Sequence, residues 1–141
     1  MIILDTSVLV YSVGEDHRLR EPCRALLSAI STGLDATTTP EVVQEFLHVR
    51  SRRRSRSDAT TLAEHFVMLL TPLIVIDERA LAEGIETFQA NDRLGAFDAV
   101  LASVARRAGA SLASADRAFG AVSGLNWLDP AHPDFLRDAA K

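Results

Sequence analysis

The sequence predicts an α/β layered domain, a mostly parallel central sheet flanked by helices, with a helical hairpin built into it. Three observations carry that prediction. The chain opens on Ile2-Ile3-Leu4, a continuous apolar run that suits a strand buried on both faces, and closes the run with Asp5. Short β-branched runs then alternate with stretches of helical periodicity, the pattern of a parallel sheet joined by crossovers. At 141 residues, with no internal repeat, low-complexity block or linker, the chain has the size of one domain, 1–141.

Composition narrows the class. Hydrophobic residues make up 48% and charged residues 24%, ordinary values for a globular protein with a real core. No apolar run approaches the roughly 20 residues that span a bilayer. No basic segment leads into an apolar stretch and a small-residue cleavage site either, so a cytoplasmic protein with no membrane contact is expected. The single cysteine, Cys23, forms no internal disulfide and fits a reducing compartment as a small buried apolar residue.

Net charge is −4, which at first argues against nucleic acid, but the charge is unevenly spread. Lys141 is the only lysine, and Arg50, Arg52, Arg53, Arg54 and Arg56 crowd into one short run. Arginine presents a planar donor fork suited to phosphate. Such an arm on an acidic protein holds RNA locally, through contacts that weaken with salt. On charge alone, a solvated helix end explains the run equally well.

Taken in order, Val8-Leu9-Val10-Tyr11 leads away from the first strand as a helix turn, with Asp5 placed to cap it. Leu19, Cys23, Leu26, Leu27 and Ile30 fall at helical spacing, with Pro22 in the first turn and Gly33 as the stop. Leu34 to Thr38 is a short strand. Thr39 caps a helix that Pro40 opens, and the arginine run joins it to a second amphipathic helix through Leu62, Phe66, Leu69 and Leu70, capped by Ser57 or Asp58. Together they read as a helical hairpin projecting from the core.

Leu73-Ile74-Val75-Ile76 reads as a buried strand by its β-branching. Asp77 caps a helix with the stripe Leu81, Gly84, Ile85 and Phe88. After the loop Asn91–Gly95, residues 96–105 form a nearly all-apolar and therefore buried helix. Gly109 ends it, Ala110 to Ser114 and Leu125 to Leu128 are strands, and the tail from Asp129 packs loosely or frays.

Four acids stand out against this background. Asp5 and Asp116 follow strands directly, where open parallel sheets place ligands. Glu45 lies at the edge of an apolar helical stripe beside Val42 and Val49, partly desolvated. Asp98 is the only charge in its helix before Arg106. Each has an ordinary explanation alone: a cap for Asp5 and Asp116, a surface pair for Glu45, a dipole partner for Asp98. Right-handed crossovers, however, bring Asp5, Asp116 and the start of the Asp98 helix to one edge. Clustered carboxylates repel unless a cation enters, and a hard divalent ion such as Mg²⁺ or Mn²⁺ suits oxygen ligands. His17, His48, His65 and His132 are scattered, so no zinc-type spacing exists.

Leu4-Asp5-Thr6-Ser7, Glu45, Phe97-Asp98-Ala99 and Ser114-Ala115-Asp116-Arg117-Ala118-Phe119 resemble, in that order, the four acidic motifs of PIN-domain ribonucleases. The resemblance covers almost the whole chain and is strongest to the VapC toxins of bacterial VapBC toxin–antitoxin pairs. It implies a PIN-like fold and an endoribonuclease that leaves a 5′-phosphate and a 3′-hydroxyl. Asp5, Asp98 and Asp116 then hold one or two Mg²⁺ (or Mn²⁺) ions, with Glu45 completing the catalytic cluster. Thr6 and Ser114 orient carboxylates or touch phosphate, and Arg117 joins the arginine run in tracking RNA. The resemblance further implies a homodimer and a VapB-type antitoxin. The antitoxin's tail would fill the acidic cleft and build a higher assembly.

Other classes lose their support. A haloacid-dehalogenase phosphatase needs a second Asp where Ser7 stands, and a receiver domain needs a lysine near the sheet, where this chain has only Lys141. Neither G-x-x-x-x-G-K-[ST] nor G-x-G-x-x-G occurs. The remaining rival is an idle PIN-like scaffold that binds protein or RNA without cutting it.

Overall fold

The computed structural model describes all 141 residues. Ile2–Leu4 forms β1, buried along its whole length. It lies inside an all-parallel, four-stranded sheet with β2 (Ala36–Thr37), β3 (Ser111–Ala113) and β4 (Asn126–Leu128), in the order β2-β1-β3-β4. The chain leaves β1 toward β2 on one side and returns to β3 on the other. Connections therefore diverge between β1 and β3, and the crevice beyond their carboxyl ends is the switch point at which such sheets bind ligands. Asp5 and Ser114 are the first residues past those two ends. The Asp5 N–H still donates to the Ala113 carbonyl at 3.0 Å, which locks the two exits together.

Seven helices flank the sheet. α1 (Thr6–Ser12) and α2 (Arg20–Ser31) pack on each other. α3 (Pro40–Arg53) starts as its sequence demands, with Thr39 as cap and proline in the first turn. α4 (Arg56–Leu70) is capped by Ser55 rather than Ser57 or Asp58, because Asp58 turns instead to Arg50. α3 and α4 form the expected hairpin, but it does not project. Phe46 and Phe66 meet edge to face at 4.9 Å, both buried, and join the main core.

α5 (Glu78–Ala90) and α6 (Ala96–Arg107) pack together closely. Here the expected stripe holds only at Gly84. Ala80, Gly84 and Thr87 face inward, while Leu81, Ile85 and Phe88 are exposed. Small side chains let the backbones approach: a Cβ added at Gly84 would lie 2.6 Å from Val100 Cγ2. α6 is largely buried, yet Phe97 at its start is 84% exposed.

Two further expectations fail. Residues 73–76 belong to no strand. The Ile74 N–H reaches the Thr38 carbonyl at 2.9 Å, but Val75 is 76% exposed and no ladder forms. β-branching marked an extended segment there without supplying a pairing partner. The tail does not fray, since α7 (Phe135–Ala139) buries Phe135 and Ala139 against α2 and β4.

Candidate active site

Asp5 is placed by backbone and held by hydroxyls. As the N-cap of α1 its carboxylate accepts the Ser7 N–H at 3.2 Å. Ser7 Oγ donates to the same oxygen, Oδ2, at 2.6 Å, and Ser114 Oγ donates to it at 2.8 Å. All three bonds fall on Oδ2, and Oδ1 accepts no hydrogen bond from the protein. Ser7 Oγ also accepts the Ala115 N–H and Ser114 Oγ accepts the Asp116 N–H, each at 3.0 Å. Two serines thus stitch the turn after β1 to the turn after β3.

The other acids come from separate elements. Glu45 projects from α3, and Thr6 Oγ1 donates to its Oε2 at 2.5 Å. Asp116 caps a 3₁₀ turn (Arg117–Ala121) by accepting the Ala118 N–H at 2.8 Å. Asp98 sits in the first turn of α6, half-buried, and accepts no hydrogen bond from the protein. Burial, then the charges of Asp5, Asp116 and Glu45, push its carboxyl up to about 6.

Asp5, Glu45, Asp98 and Asp116 all line one cleft of about 330 Å³, together with Thr6, Ser7, Val10, Tyr11 and Arg53. A larger groove of about 580 Å³ continues from Asp5, Glu45 and Asp98 between α3 and α6, with Val42, Ile76, Leu81, Phe97 and Leu101 on its walls. As the side chains stand, no three acids converge at direct ligating distance. The donor set still suits a hard divalent ion. All donors are carboxylate oxygens, Oδ1 of Asp5 is free, and Asp98 carries an uncompensated charge in a desolvated place. Hard divalent ions keep several waters, so direct contact with three carboxylates is not required.

The arginine run divides. Arg50 is structural: Nε pairs with Asp58 at 2.5 Å and Nη1 donates to the Val13 carbonyl at 3.0 Å. Arg54 pairs with Glu15, while Arg52 and Arg56 are exposed away from the cleft. Only Arg53 of the run lines it, and Arg117, which follows Asp116, is exposed outside that lining. Sequence reasoning passed over Ser7 as a site residue. Its signal was present, since a serine two residues after an Asp bonds back to it readily. Tyr11 had no such signal.

Comparison with known proteins decides the family. The PIN domain family model matches residues 2–125. This chain belongs to the PIN-domain family. Within that family the chain is 49% identical over 136 residues to Ribonuclease VapC7 of Mycobacterium tuberculosis, covering 92% of each chain. It is 31% identical to Ribonuclease VapC23 of the same organism, over 77% of this chain and 86% of that one. Solved PIN-domain structures share the fold at low identity. VapBC2 from Rickettsia felis, bound to a promoter DNA fragment, matches with a TM-score of 0.74 at 17% identity, covering 92% of this chain and 98% of that one. Mycobacterium tuberculosis VapC20, a sarcin–ricin-loop-cleaving toxin, matches at 0.71 with 20% identity, covering 89% and 98%.

Proposed function

We propose that this chain is a divalent-metal-dependent endoribonuclease, the toxin of a VapBC-type pair, acting in the cytoplasm and inhibited by a cognate VapB-type antitoxin. One observation carries the reading: Asp98 is a half-buried, unpartnered carboxylate facing Asp5, Asp116 and Glu45 across one cleft. A carboxylate so costly to keep charged, beside three other acids, is explained by a cation and left unexplained by a passive surface. Asp5, Asp98 and Asp116 would hold Mg²⁺, or Mn²⁺ in its place, and Glu45 would complete the cluster. Bound there, the ion supplies a water of lowered pKa and charge stabilisation of the scissile phosphate.

The chain's own residues do the rest. Ser7 and Ser114 hold Asp5 through Oδ2 and leave Oδ1 without a protein partner, and Thr6 donates to Glu45. Glu45, with one oxygen held by Thr6 and the other free, is placed to orient a water or take its proton. The antitoxin's tail is assigned to the acidic cleft and the adjoining groove, where a basic side chain would replace the cation. The exposed Leu81, Ile85 and Phe88 support a homodimer and, with antitoxin, a higher assembly.

An idle scaffold is the second reading, favoured only by the absence of three converging acids. Incubating antitoxin-free protein with total RNA separates the two. Discrete cuts with Mg²⁺ or Mn²⁺, abolished by EDTA and by Asp98→Asn, support the nuclease. Cutting that survives Asp98→Asn ends this assignment of the acids. Well-folded protein that binds antitoxin, takes up no Mn²⁺ and cuts nothing is the scaffold.

A further inference from the structure

One wall of the acidic cleft has no part in holding the acids. It forms where the ends of α1 and α3 meet, a junction tied by Arg50 to the Val13 carbonyl and by Arg54 to Glu15. Arg53 lies in the same turn and lines the cleft, yet it makes no ion pair or hydrogen bond in the protein, with those four carboxylates or any other group. A guanidinium meant to neutralise the acids would touch one. This one is left for an anion that arrives with a ligand.

Tyr11 lines the same cleft from α1, one turn beyond Ser7, and is the only aromatic residue there. Its ring is stacked on His17, with centroids 4.7 Å apart and planes 21° from parallel. His17 lies outside the cleft lining, so it braces the tyrosine without occupying the cleft. His17 is itself fixed, since its Nδ1 accepts the Leu19 N–H at 3.2 Å. A braced aromatic plane beside a free arginine is the pairing that takes an unstacked base together with its phosphate.

We propose that Tyr11 and Arg53 form the subsite for a nucleotide next to the scissile phosphate, in single-stranded RNA. Tyr11 stacks on the base and Arg53 pairs with the phosphate, while His17 positions Tyr11. The inference rests on the nuclease reading above. Stacking accepts every base, so this subsite selects for strandedness and local flexibility, and sequence is read elsewhere. A peptide carboxylate in the same place would use Arg53 and gain nothing from Tyr11.

The test is steady-state cleavage of a single-stranded oligoribonucleotide carrying the mapped cut site, and of the same sequence as a duplex. Tyr11→Leu should raise KM about tenfold, the scale of one lost base–aromatic stack. Arg53→Gln should raise KM similarly and reduce the log–log salt slope by about 0.7, one phosphate contact to a single strand. Tyr11→Phe, which keeps the ring, should stay within about twofold of wild type, and all three should retain Mn²⁺ affinity. An unchanged KM in both Tyr11→Leu and Arg53→Gln overturns the proposal, as does equal cleavage of the duplex. A KM change from Arg53→Gln alone reduces the site to a phosphate contact and overturns the stacking role. If wild type cuts no RNA, the nuclease reading fails first. Anisotropy of a labelled single-stranded RNA with Mn²⁺ then judges the subsite, and equal binding by wild type and the two variants overturns it.

Discussion

Asp98 shows what one residue costs the fold. It is half-buried beside three other acids, so its carboxyl is raised from 3.8 to about 6. Between those values the folded state keeps a proton that the unfolded chain releases, so stability is highest below the window and falls as pH rises through it. Two units would be about 3 kcal/mol, and partial solvent access reduces this to roughly 1 kcal/mol. Asp98→Asn should therefore raise the metal-free Tm at pH 7 by about 3–4 °C, with little difference at pH 4, while cleavage falls about a hundredfold or more. Differential scanning calorimetry at the two pH values checks the first half. Ser7→Ala removes one donor from Asp5 Oδ2 and the acceptor for the Ala115 N–H. Mn²⁺ affinity by titration calorimetry should fall about tenfold, the usual scale for losing a group that orients a metal ligand.

At the scale of elements, α5 and α6 are set by absence of bulk. Gly84 costs helix propensity, roughly 1 kcal/mol against alanine, yet a Cβ there would press on Val100 Cα at 2.8 Å as well as on its side chain. Backbone does not yield as a side-chain end does. Gly84→Ala should therefore destabilise by about 1–3 kcal/mol despite the propensity gain, read as a lower urea midpoint at constant m. A stabilised variant would show that the helices can separate. The same packing explains why Leu81, Ile85 and Phe88 face outward: the inner face of α5 has no room for them.

For the whole molecule, those side chains together with Phe97 and Val75 leave much apolar surface uncovered on one chain. Sedimentation should find a dimer at micromolar concentration, and Ile85→Glu with Phe88→Glu should return it to monomer. A monomeric wild type would remove this argument for self-association. The divalent ion should also act globally. With the acids repelling one another, Mn²⁺ at a hundred times its Kd should raise stability by about 2.7 kcal/mol, and EDTA should reverse this.

By itself, the sequence determined most of the element order, the apolar first strand, and the caps at Asp5, Thr39, Asp77 and Asp116. These are local properties: a cap needs only its own turn, and an acid after a strand marks the sheet's carboxyl edge wherever the strand pairs. Tertiary structure alone decided the rest. Residues 73–76 have strand propensity and no neighbour to pair with, because pairing is set by what lies beside a segment. The stripe on α5 was legible as amphipathic but not which face α6 would take, since glycine and alanine carry no hydrophobic signal and win by letting backbones approach. Arg50, Arg53 and Arg54 are identical letters in one run, and only the fold gave one to Asp58, one to Glu15 and left the third facing the acids. Side-chain partnership over tens of residues depends on distance in space, which chain order does not encode.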